Sequence, residues 1–544
     1  GRDQLHLHRC PGPARGGCGG DGRLAGRRGP GVARSAGARG GLGRCGHPVG
    51  AADRGCQCAR PDRLGDLCGP RLCAGSGRQR YRRCPALPAR DRAVGGGMNA
   101  AAPPVFAPDP AALGEMLGWA QRRILSGPDP RNGAEPLSVL DRDLGGSITA
   151  GGLGWRRPFG LFTDVIAPST RPFDHPTSLA FVAAAPTPAA LGFDAVLGAA
   201  EIFAGNWDGG SGAVHAETQA LRWLTALAGW PESAGGVFVS GGTLGNLSAL
   251  HAARTAWAGP RPERWRLLCS TEAHSSIAAI ARVMDVDLVE VPVDASGRID
   301  IAAAKQALAE TPGIFAILAN AGATNSGAVD DLAALADLAE QQGAWLHVDG
   351  AYGLAAMVDP ATRPLFAGLE RADSFIVDPH KWLFAPYDCC ALAYRDAARG
   401  AAAHGQRGAY LDVVDTSALN PSDLALHLTR RARGLPFWFS RAVYGADAYA
   451  EAMARTLTIA QRIAEGIAAT PGLEVILGPQ LSVILFRAPG RTAVDLHDWA
   501  ETHRRSGALL CLPTTWRGET VLRICVVNPA TDPAHVLDVL RTLT

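Results

Sequence analysis

The stretch SFIVDPHKWLF (residues 374–384) places a lysine directly after a short apolar run. Lys381 is one of only two lysines in a chain of 544 residues that has 53 Lys and Arg together. Arginine stays protonated in proteins, whereas lysine can lose its proton and attack a carbonyl carbon. The other lysine, Lys305, lies in IAAAKQALAE (301–310), whose pattern predicts an amphipathic helix with Lys305 facing solvent. A lone lysine after a strand is usually a surface charge, but the scarcity of lysine favours a chemical role for Lys381.

Three further stretches place polar residues at the ends of predicted strands. Asp349 ends AWLHVD (344–349), and Ser240-Gly241-Gly242-Thr243 follows GGVFV (235–239) and precedes a predicted helix. His274 follows WRLLCS (265–270). A glycine-rich turn before a helix suits a phosphate, a carboxylate can face a flat ring, and an imidazole can stack on one. Taken singly, each residue could equally be a cap, a turn or a core residue.

Short apolar runs alternate with amphipathic helices between about residues 180 and 440. Strands are expected at 235–239, 265–270, 286–293, 314–321, 344–349 and 374–378, with helices such as 243–257 and 329–342 between them. This order predicts an α/β domain with a mostly parallel central sheet, whose ligands gather at the carboxyl ends of the strands. A helix at 444–469 and strands at 481–487 and 520–527 predict a smaller C-terminal α+β domain. Before the sheet, a helix is expected at 111–126, followed by a Pro/Gly-rich connection to about residue 180.

Four of these features match the four recognisable parts of pyridoxal phosphate (PLP): the phosphate loop, the ring-stacking candidate, the carboxylate and the lysine. At this point the chain resembles the group II PLP-dependent amino-acid decarboxylases, which have the aspartate-aminotransferase-like fold (fold type I). The resemblance runs from about residue 175 to the C-terminus, with Glu217 in a further matching region. Its motifs are DPHKWLFAPYDCCAL (378–392), HVDGAYG (347–353), GGVFVSGGTLGNLSAL (235–250), AHSS (273–276), HPTSLAF (175–181) and RRARGLPFWF (430–439).

The resemblance implies roles for individual residues. Lys381 would carry PLP as a Schiff base, Asp349 would pair with the pyridine nitrogen, and carbon dioxide would leave to give a quinonoid intermediate. Tyr410 would then protonate Cα as general acid. Arg523 would meet the substrate carboxylate. The implied cofactor-binding set is Lys381, Asp349, Ala351, His274, Gly242, Thr243, Thr324, Asp378 and His380, with Ala351 and His274 against the two ring faces. Asp378 stands where some relatives have Asn, so beside a phosphate its carboxylate would need a hydrogen-bonding role.

The predicted activity is therefore decarboxylation of an L-amino acid, with aromatic substrates favoured over glutamate or diaminobutyrate. Transamination or aldehyde formation on the same fold is the nearest alternative. A homodimer is expected, since relatives build the active site at a subunit interface. We expect no metal, no membrane association and a cytoplasmic location. A rival of another class is an Arg-rich nucleic-acid-binding protein with an inactive enzyme domain, which an intact Lys381, Asp349 and His274 argue against.

Composition changes sharply at Met98. Residues 1–97 hold 19 Arg, no Lys, 6 Asp and eight of the 13 Cys, a net charge of +13, whereas the rest of the chain has a net charge of −11. They contain too few large apolar residues to form a core. A nucleic-acid arm or a Cys/His metal module is possible in principle, but the break favours translated DNA upstream of a natural start. The expected domains are this disordered segment (1–97), an N-terminal segment packing on the partner subunit (98–185), a PLP-binding domain (186–440) and a small domain (441–544).

Overall fold

The structure is a computed structural model that describes residues 106–107, 109–406 and 420–544. Tyr410 and the Arg-rich segment 1–97 therefore lie outside the described residues. Among those described, no helix combines the length and apolar character needed to cross a bilayer.

A seven-stranded sheet forms the centre of the fold. Its order is β1-β7-β6-β5-β4-β2-β3, and only β7 runs antiparallel to its neighbours. The prediction of a mostly parallel sheet is confirmed. The strands are β1 (Gly235–Val239), β2 (Arg266–Ser270), β3 (Asp287–Val291), β4 (Ile314–Asn320), β5 (Trp345–Asp349), β6 (Ser374–Val377) and β7 (Cys390–Tyr394).

Both faces of this sheet are buried. All seven residues of β4 are buried, which is why its sequence IFAILAN is apolar without alternation. Successive side chains still point to opposite faces: Phe238 belongs to one hydrophobic cluster, and its neighbours Val237 and Val239 belong to the other. The sheet therefore separates two cores, each covered by helices.

The helices before and around the sheet include those that connect its strands. Gly242 begins α6 directly after β1, so the glycine-rich turn becomes a helix N-terminus. The helices are α1 (Pro110–Ser126), α2 (Leu137–Leu144), α3 (Arg156–Leu161), α4 (Pro188–Ala200), α5 (Trp207–Leu227), α6 (Gly242–Thr255), α7 (Ser276–Met284), α8 (Ile301–Glu310), α9 (Leu332–Gln342), α10 (Pro379–Trp382) and α11 (Ala397–His404).

A second, antiparallel sheet has the order β10-β11-β9-β8. Its strands are β8 (Glu474–Leu477), β9 (Val483–Arg487), β10 (Leu512–Trp516) and β11 (Glu519–Cys525), and it is accompanied by α12 (Leu435–Ala468), α13 (Ala493–Ser506) and α14 (Pro533–Leu540). Helix α12 begins nine residues before the predicted start at 444, and Gly445 interrupts it with φ +82°. That left-handed conformation suits glycine.

Two expectations about secondary structure were wrong in detail. The connection between 127 and 180 contains α2, α3 and a π-helical turn at Phe162–Ile166. Pro158 lies in the first turn of α3, where its missing N–H costs no helical hydrogen bond. These elements are too short to show a helical period. Strand β7 was not predicted either, although the turn residues Pro386 and Asp388 precede it.

Candidate active site

A cavity of about 370 Å³ opens at the carboxyl ends of the central strands. The loops after β1, β2, β4, β5 and β6 all contribute to its wall, as expected for ligand sites of α/β sheets. It brings together all nine residues of the implied cofactor-binding set: Gly242, Thr243, His274, Thr324, Asp349, Ala351, Asp378, His380 and Lys381. Lys305 lies outside it and is exposed on α8.

Lys381 projects into the cavity from the short helix α10. Its Nζ lies 3.0 Å from Oδ2 of Asp378. Burial lowers the pKa of Lys381, but attraction by Asp378 and Asp349 outweighs burial, so the net shift of the pKa is upward. The amine is therefore an ammonium while it faces these carboxylates.

The residue after the lysine fixes the helix that carries it. The Trp382 ring stacks on Tyr352 with centroids 5.0 Å apart, and its Nε1 donates to Thr456 Oγ1 at 3.0 Å. Tyr352 in turn hydrogen-bonds Ser482 just before β9. These contacts connect the lysine helix to α12 and to the second sheet.

Asp349 ends β5 with both carboxylate oxygens engaged. Oδ1 accepts the backbone N–H of Ala351 at 3.1 Å, and Oδ2 accepts Nδ2–H of Asn246 at 2.8 Å. Because two donors hold it, the carboxylate has a fixed orientation at the cavity wall. Such a group suits the protonated nitrogen of a pyridine ring.

The N-terminus of α6 forms the glycine-lined end of the cavity. Gly241 is its N-cap and provides no side chain to cap the first N–H groups. A Cβ at Gly242 would lie 3.1 Å from Ile376 Cδ1 and 3.4 Å from Asp378 Oδ2. The absence of side chains at Gly241 and Gly242 leaves room for an anion at the positive end of the helix.

Asp378 lies beside this anion cradle but is turned toward basic side chains. Its Oδ2 contacts Lys381 and lies 3.6 Å from His380 Nε2, whereas its Oδ1 is buried without a hydrogen-bond partner. His380 accepts the backbone N–H of Cys389 on Nδ1. Burial lowers the pKa of His380 even though Asp378 opposes that shift, so the ring is neutral with its proton on Nε2.

His274 lies on the loop after β2 with part of its ring exposed. Its Nδ1 accepts the backbone N–H of Ser276 at 3.2 Å and pairs with Ser276 Oγ at 2.8 Å. These contacts fix the ring plane, and an aromatic ligand in the cavity could stack on it.

Arg523 does not line the cavity. Its guanidinium donates to the backbone oxygens of Phe181, Thr324 and Asn325. Phe181 and Thr324 both belong to the cavity wall. Arg523 therefore connects β11 to two loops that border the site, with three of its five N–H groups used by main-chain carbonyls.

The sequence did not single out several residues of the site. Asn246 follows Gly242 by four positions on α6 and so shares its face of the helix. His347 precedes Asp349 by two positions on β5 and so shares its face of the strand. Both signals are visible in the sequence once the elements are assigned. Phe181, Val182 and Tyr352 complete the apolar part of the wall.

The groups present fit pyridoxal phosphate. The cradle at α6 suits a phosphate, the fixed Asp349 suits a pyridinium nitrogen, and the Lys381 amine can reach an aldehyde bound between them. The orphaned Oδ1 of Asp378, buried at the edge of the cradle, only accepts hydrogen bonds, and a bound ligand would satisfy it with a donor such as a protonated phosphate oxygen.

Comparison with known proteins agrees with this chemistry. The family model for the pyridoxal-dependent decarboxylase conserved domain matches residues 155–489. Aromatic-L-amino-acid decarboxylase of Bacillus atrophaeus is 31% identical over 436 residues, which cover 76% of this chain and 86% of that protein. L-2,4-diaminobutyrate decarboxylase of Rhizobium meliloti is 31% identical over 384 residues, 68% of this chain and 77% of that protein.

A solved structure of Oryza sativa TDC with PLP and tryptamine has a TM-score of 0.73 and 23% identity, covering 80% of this chain and 96% of that one. At this identity the likeness shows the shared fold. Together with the sheet order, it confirms the predicted fold class.

Proposed function

The chain belongs to the pyridoxal-dependent decarboxylase family, and from this premise we propose that it removes carbon dioxide from an aromatic L-amino acid. That it is a PLP-dependent amino-acid decarboxylase follows from the family. The aromatic preference is our proposal, supported by the similarity to an aromatic-L-amino-acid decarboxylase and by the cavity wall.

The chemistry of that wall carries the proposal. Its only carboxylates among the described residues are Asp349, whose two oxygens both accept hydrogen bonds, and Asp378, whose charge is paired with Lys381 through Oδ2 and whose Oδ1 is buried. The described part of the wall also contains no arginine. A substrate with a second ammonium or a second carboxylate would therefore lack a free partner of opposite charge. Phe181, 52% exposed, offers an aromatic surface instead.

The test is a screen of purified enzyme for amine and carbon dioxide release from common L-amino acids. Tryptophan, tyrosine, phenylalanine and dopa should react faster than glutamate or 2,4-diaminobutyrate. A clear preference for either of the last two would contradict the aromatic assignment while leaving the decarboxylase activity intact.

We assign the roles of the residues as follows. When bound, PLP supplies an aldehyde that condenses with amines and a protonated ring that withdraws electrons from the bond to be broken. Lys381 would hold the cofactor through Nζ, the atom that an incoming substrate amine would replace. Asp349 keeps a proton on the ring nitrogen. His274 and Ala351 keep the ring plane between them.

The remaining roles concern the phosphate and the proton. The N-terminus of α6, with Gly242 and Thr243, binds the phosphate, and Thr324, Asp378 and His380 border it. Tyr410 returns a proton to Cα of the substrate. For Arg523, the contacts support a role in holding the cavity loops more than direct binding of the substrate carboxylate.

Reduction with borohydride tests the lysine assignment. The purified protein should be yellow, and reduction followed by peptide mapping should leave the cofactor on Lys381. Lys305 is the internal control, since it is the only other lysine in the sequence. Label on Lys305, or none, would contradict the assignment.

We also propose a homodimer. The N-terminal helix α1 exposes Leu113, Met116, Leu117 and Leu125. A cavity of about 660 Å³ lies between α1, the residues around Asp174 and helix α12. Exposed apolar surface of this kind is typical of subunit contacts. Sedimentation should give a dimer at micromolar concentration, and an active monomer would contradict this. The cytoplasmic location remains a prediction that cell fractionation can check.

A further inference from the structure

A line of buried hydrogen bonds leads from Asp349 away from the cavity and into the core. Asn246 Nδ2 donates to Asp349 Oδ2 at 2.8 Å, and Asn246 Oδ1 pairs with His347 Nε2 at 2.8 Å. Ser374 Oγ lies 2.8 Å from His347 Nδ1 and accepts Trp345 Nε1–H at 2.7 Å. All five residues are less than 9% exposed.

Three elements build this line, which we call the Asp349 chain. Trp345, His347 and Asp349 are alternate residues of β5 and so face the same side of the sheet. Asn246 comes from α6, which packs on that side, and Ser374 comes from the neighbouring strand β6. The same helix that offers its N-terminus to an anion therefore also contacts the Asp349 carboxylate.

The two ends of the Asp349 chain fix the direction of every hydrogen bond in it. An ionised carboxylate only accepts, and an indole N–H only donates. Asn246 must therefore turn its NH₂ group toward Asp349, which leaves its oxygen to accept from His347 Nε2–H. The unprotonated Nδ1 of His347 then accepts from the Ser374 hydroxyl, whose oxygen accepts from Trp345. Each donor thus points toward Asp349.

This arrangement requires a neutral His347. A protonated ring would place a second N–H against Ser374, whose oxygen already accepts from Trp345, and the serine proton would lose its acceptor. Burial lowers the pKa of His347 to about 4, although the Asp349 charge opposes that shift. Geometry and titration agree on a neutral ring, and the hydrogen-bond directions alone select the Nε2–H tautomer.

We propose that Asn246 and His347 are positioning residues that hold Asp349 ionised and aimed at the cavity, and thereby keep the ring nitrogen of the cofactor protonated. The inference rests on the proposed role of Asp349. A carboxylate that accepts a hydrogen bond is stabilised in its charged form. Without the Asn246 donor the carboxylate becomes a stronger base, and the shared proton moves from the ring nitrogen toward the oxygen.

The competing explanation is a satisfied polar network that only stabilises the fold. The two explanations differ in what they predict for the cofactor. If the network only stabilises the fold, breaking it changes the unfolding of the cofactor-free protein and leaves the protonation of the cofactor ring unchanged. If the network positions Asp349, breaking it also changes the protonation of the ring nitrogen.

The experiment loads the enzyme with PLP labelled with ¹⁵N in its ring and compares Asn246→Leu, His347→Phe and His347→Gln with the parent protein. His404→Phe is the matched control. His404 is also buried and hydrogen-bonded, to the backbone oxygen of Ser248, but lies outside the Asp349 chain. Three quantities are measured: the ¹⁵N shift of the ring, the dissociation constant of PLP, and thermal unfolding of the cofactor-free protein.

We expect Asn246→Leu to move the ring shift toward that of the unprotonated ring and to weaken PLP binding about tenfold to a hundredfold. His347→Phe should act in the same direction by a smaller factor, and His347→Gln, which keeps a donor and an acceptor, should partly restore the parent values. His404→Phe should change only thermal unfolding. Unchanged ring shift and PLP affinity in both Asn246→Leu and His347→Phe would overturn the proposal.

Two further variants keep the result decisive. If Asn246→Leu does not fold, Trp345→Phe removes one donor at the far end of the Asp349 chain while keeping an aromatic ring there, and a shift intermediate between parent and His347→Phe is expected. Asp349→Asn distinguishes the proposed role of Asp349 from the proposed positioning role of Asn246 and His347. A protonated ring in Asp349→Asn would refute the role of Asp349 itself. Loss of protonation in Asp349→Asn alone, without effect in the other variants, would refute only the positioning role.

Discussion

Nζ of Lys381 lies 3.0 Å from Oδ2 of Asp378, a carboxylate whose side chain is 2% exposed. The pair joins the nucleophile to a charge that favours its protonated form. Because an ammonium cannot attack an aldehyde, Lys381 must give up this proton before it can bind the cofactor covalently. We therefore expect Asp378 to raise the pH at which the cofactor-free enzyme accepts PLP.

Asp378→Asn should lower the pKa of Lys381, because burial then acts against a weaker attraction. The rate of covalent PLP attachment to cofactor-free enzyme should begin to rise at a lower pH than in the parent protein. Stopped-flow absorbance over pH 6–10 measures this. Asp373→Asn is the control, since Asp373 pairs with Arg399 outside the cavity. An unshifted profile in Asp378→Asn would show that the contact does not govern the lysine.

Arg523→Lys tests whether this arginine holds loops or binds substrate. Lysine keeps the charge but cannot donate to three carbonyls in the same fork. Losing two hydrogen bonds from a charged donor, each worth about 1.5–3 kcal/mol, should reduce the free energy of unfolding of cofactor-free enzyme by about 3–6 kcal/mol. Denaturant unfolding measures this loss beside the KM for the substrate. A large rise in KM with unchanged stability would support carboxylate binding instead.

Tyr410→Phe should change the product more than substrate binding. The loss of a general acid slows the protonation step by about 10²–10⁴, whereas phenylalanine keeps the aromatic ring. In air, amine should fall and aldehyde, ammonia and peroxide should rise, because dioxygen can react before the proton arrives. The exposed Tyr444 provides the control Tyr444→Phe. Amine at the parent rate would exclude Tyr410 as the proton donor.

The contribution of three buried histidines to stability should fall as the pH drops below about 6.5. His347, His404 and His427 each have a pKa lowered to about 4, burial being the main cause in all three. In the unfolded chain each histidine takes up a proton near pH 6.5, whereas in the folded protein it does so only near pH 4. Protonation therefore favours the unfolded chain between these two pH values. For the fully buried His347 the full loss is about 3 kcal/mol.

Urea unfolding at pH 7 and pH 4.5 measures this loss, with His347→Phe as the diagnostic variant. The variant should be less stable than the parent at pH 7 but should lose less stability on acidification. An equally steep loss in both proteins would show that His347 does not contribute to the pH dependence.

The local sequence was enough to predict the site residues that lie at the ends of strands. Lys381, Asp349, His274 and Thr243 each follow a strand of a parallel sheet, so their meeting at one edge follows from topology. Sequence could not predict that Asn246 bonds Asp349, because the contact depends on how α6 rotates against β5. In the same way, the hydrogen bonds of Arg523 to main-chain carbonyls depend on where the loops at Phe181 and Thr324 lie. Short helices such as α2 carried too little periodicity to be recognised.

The placement of the two lysines makes the enzyme unusually simple to attach to a surface or a dye. Lys305 is exposed on α8, and Lys381 is an ammonium enclosed in the active-site cavity and bonded to Asp378. An amine-reactive resin applied to the PLP-loaded enzyme would find Lys305 as the accessible side-chain amine, because Lys381 then carries the cofactor. Molecules coupled through Lys305 would share one attachment point outside the cavity, and reactors or single-molecule assays could use the chain without an introduced tag.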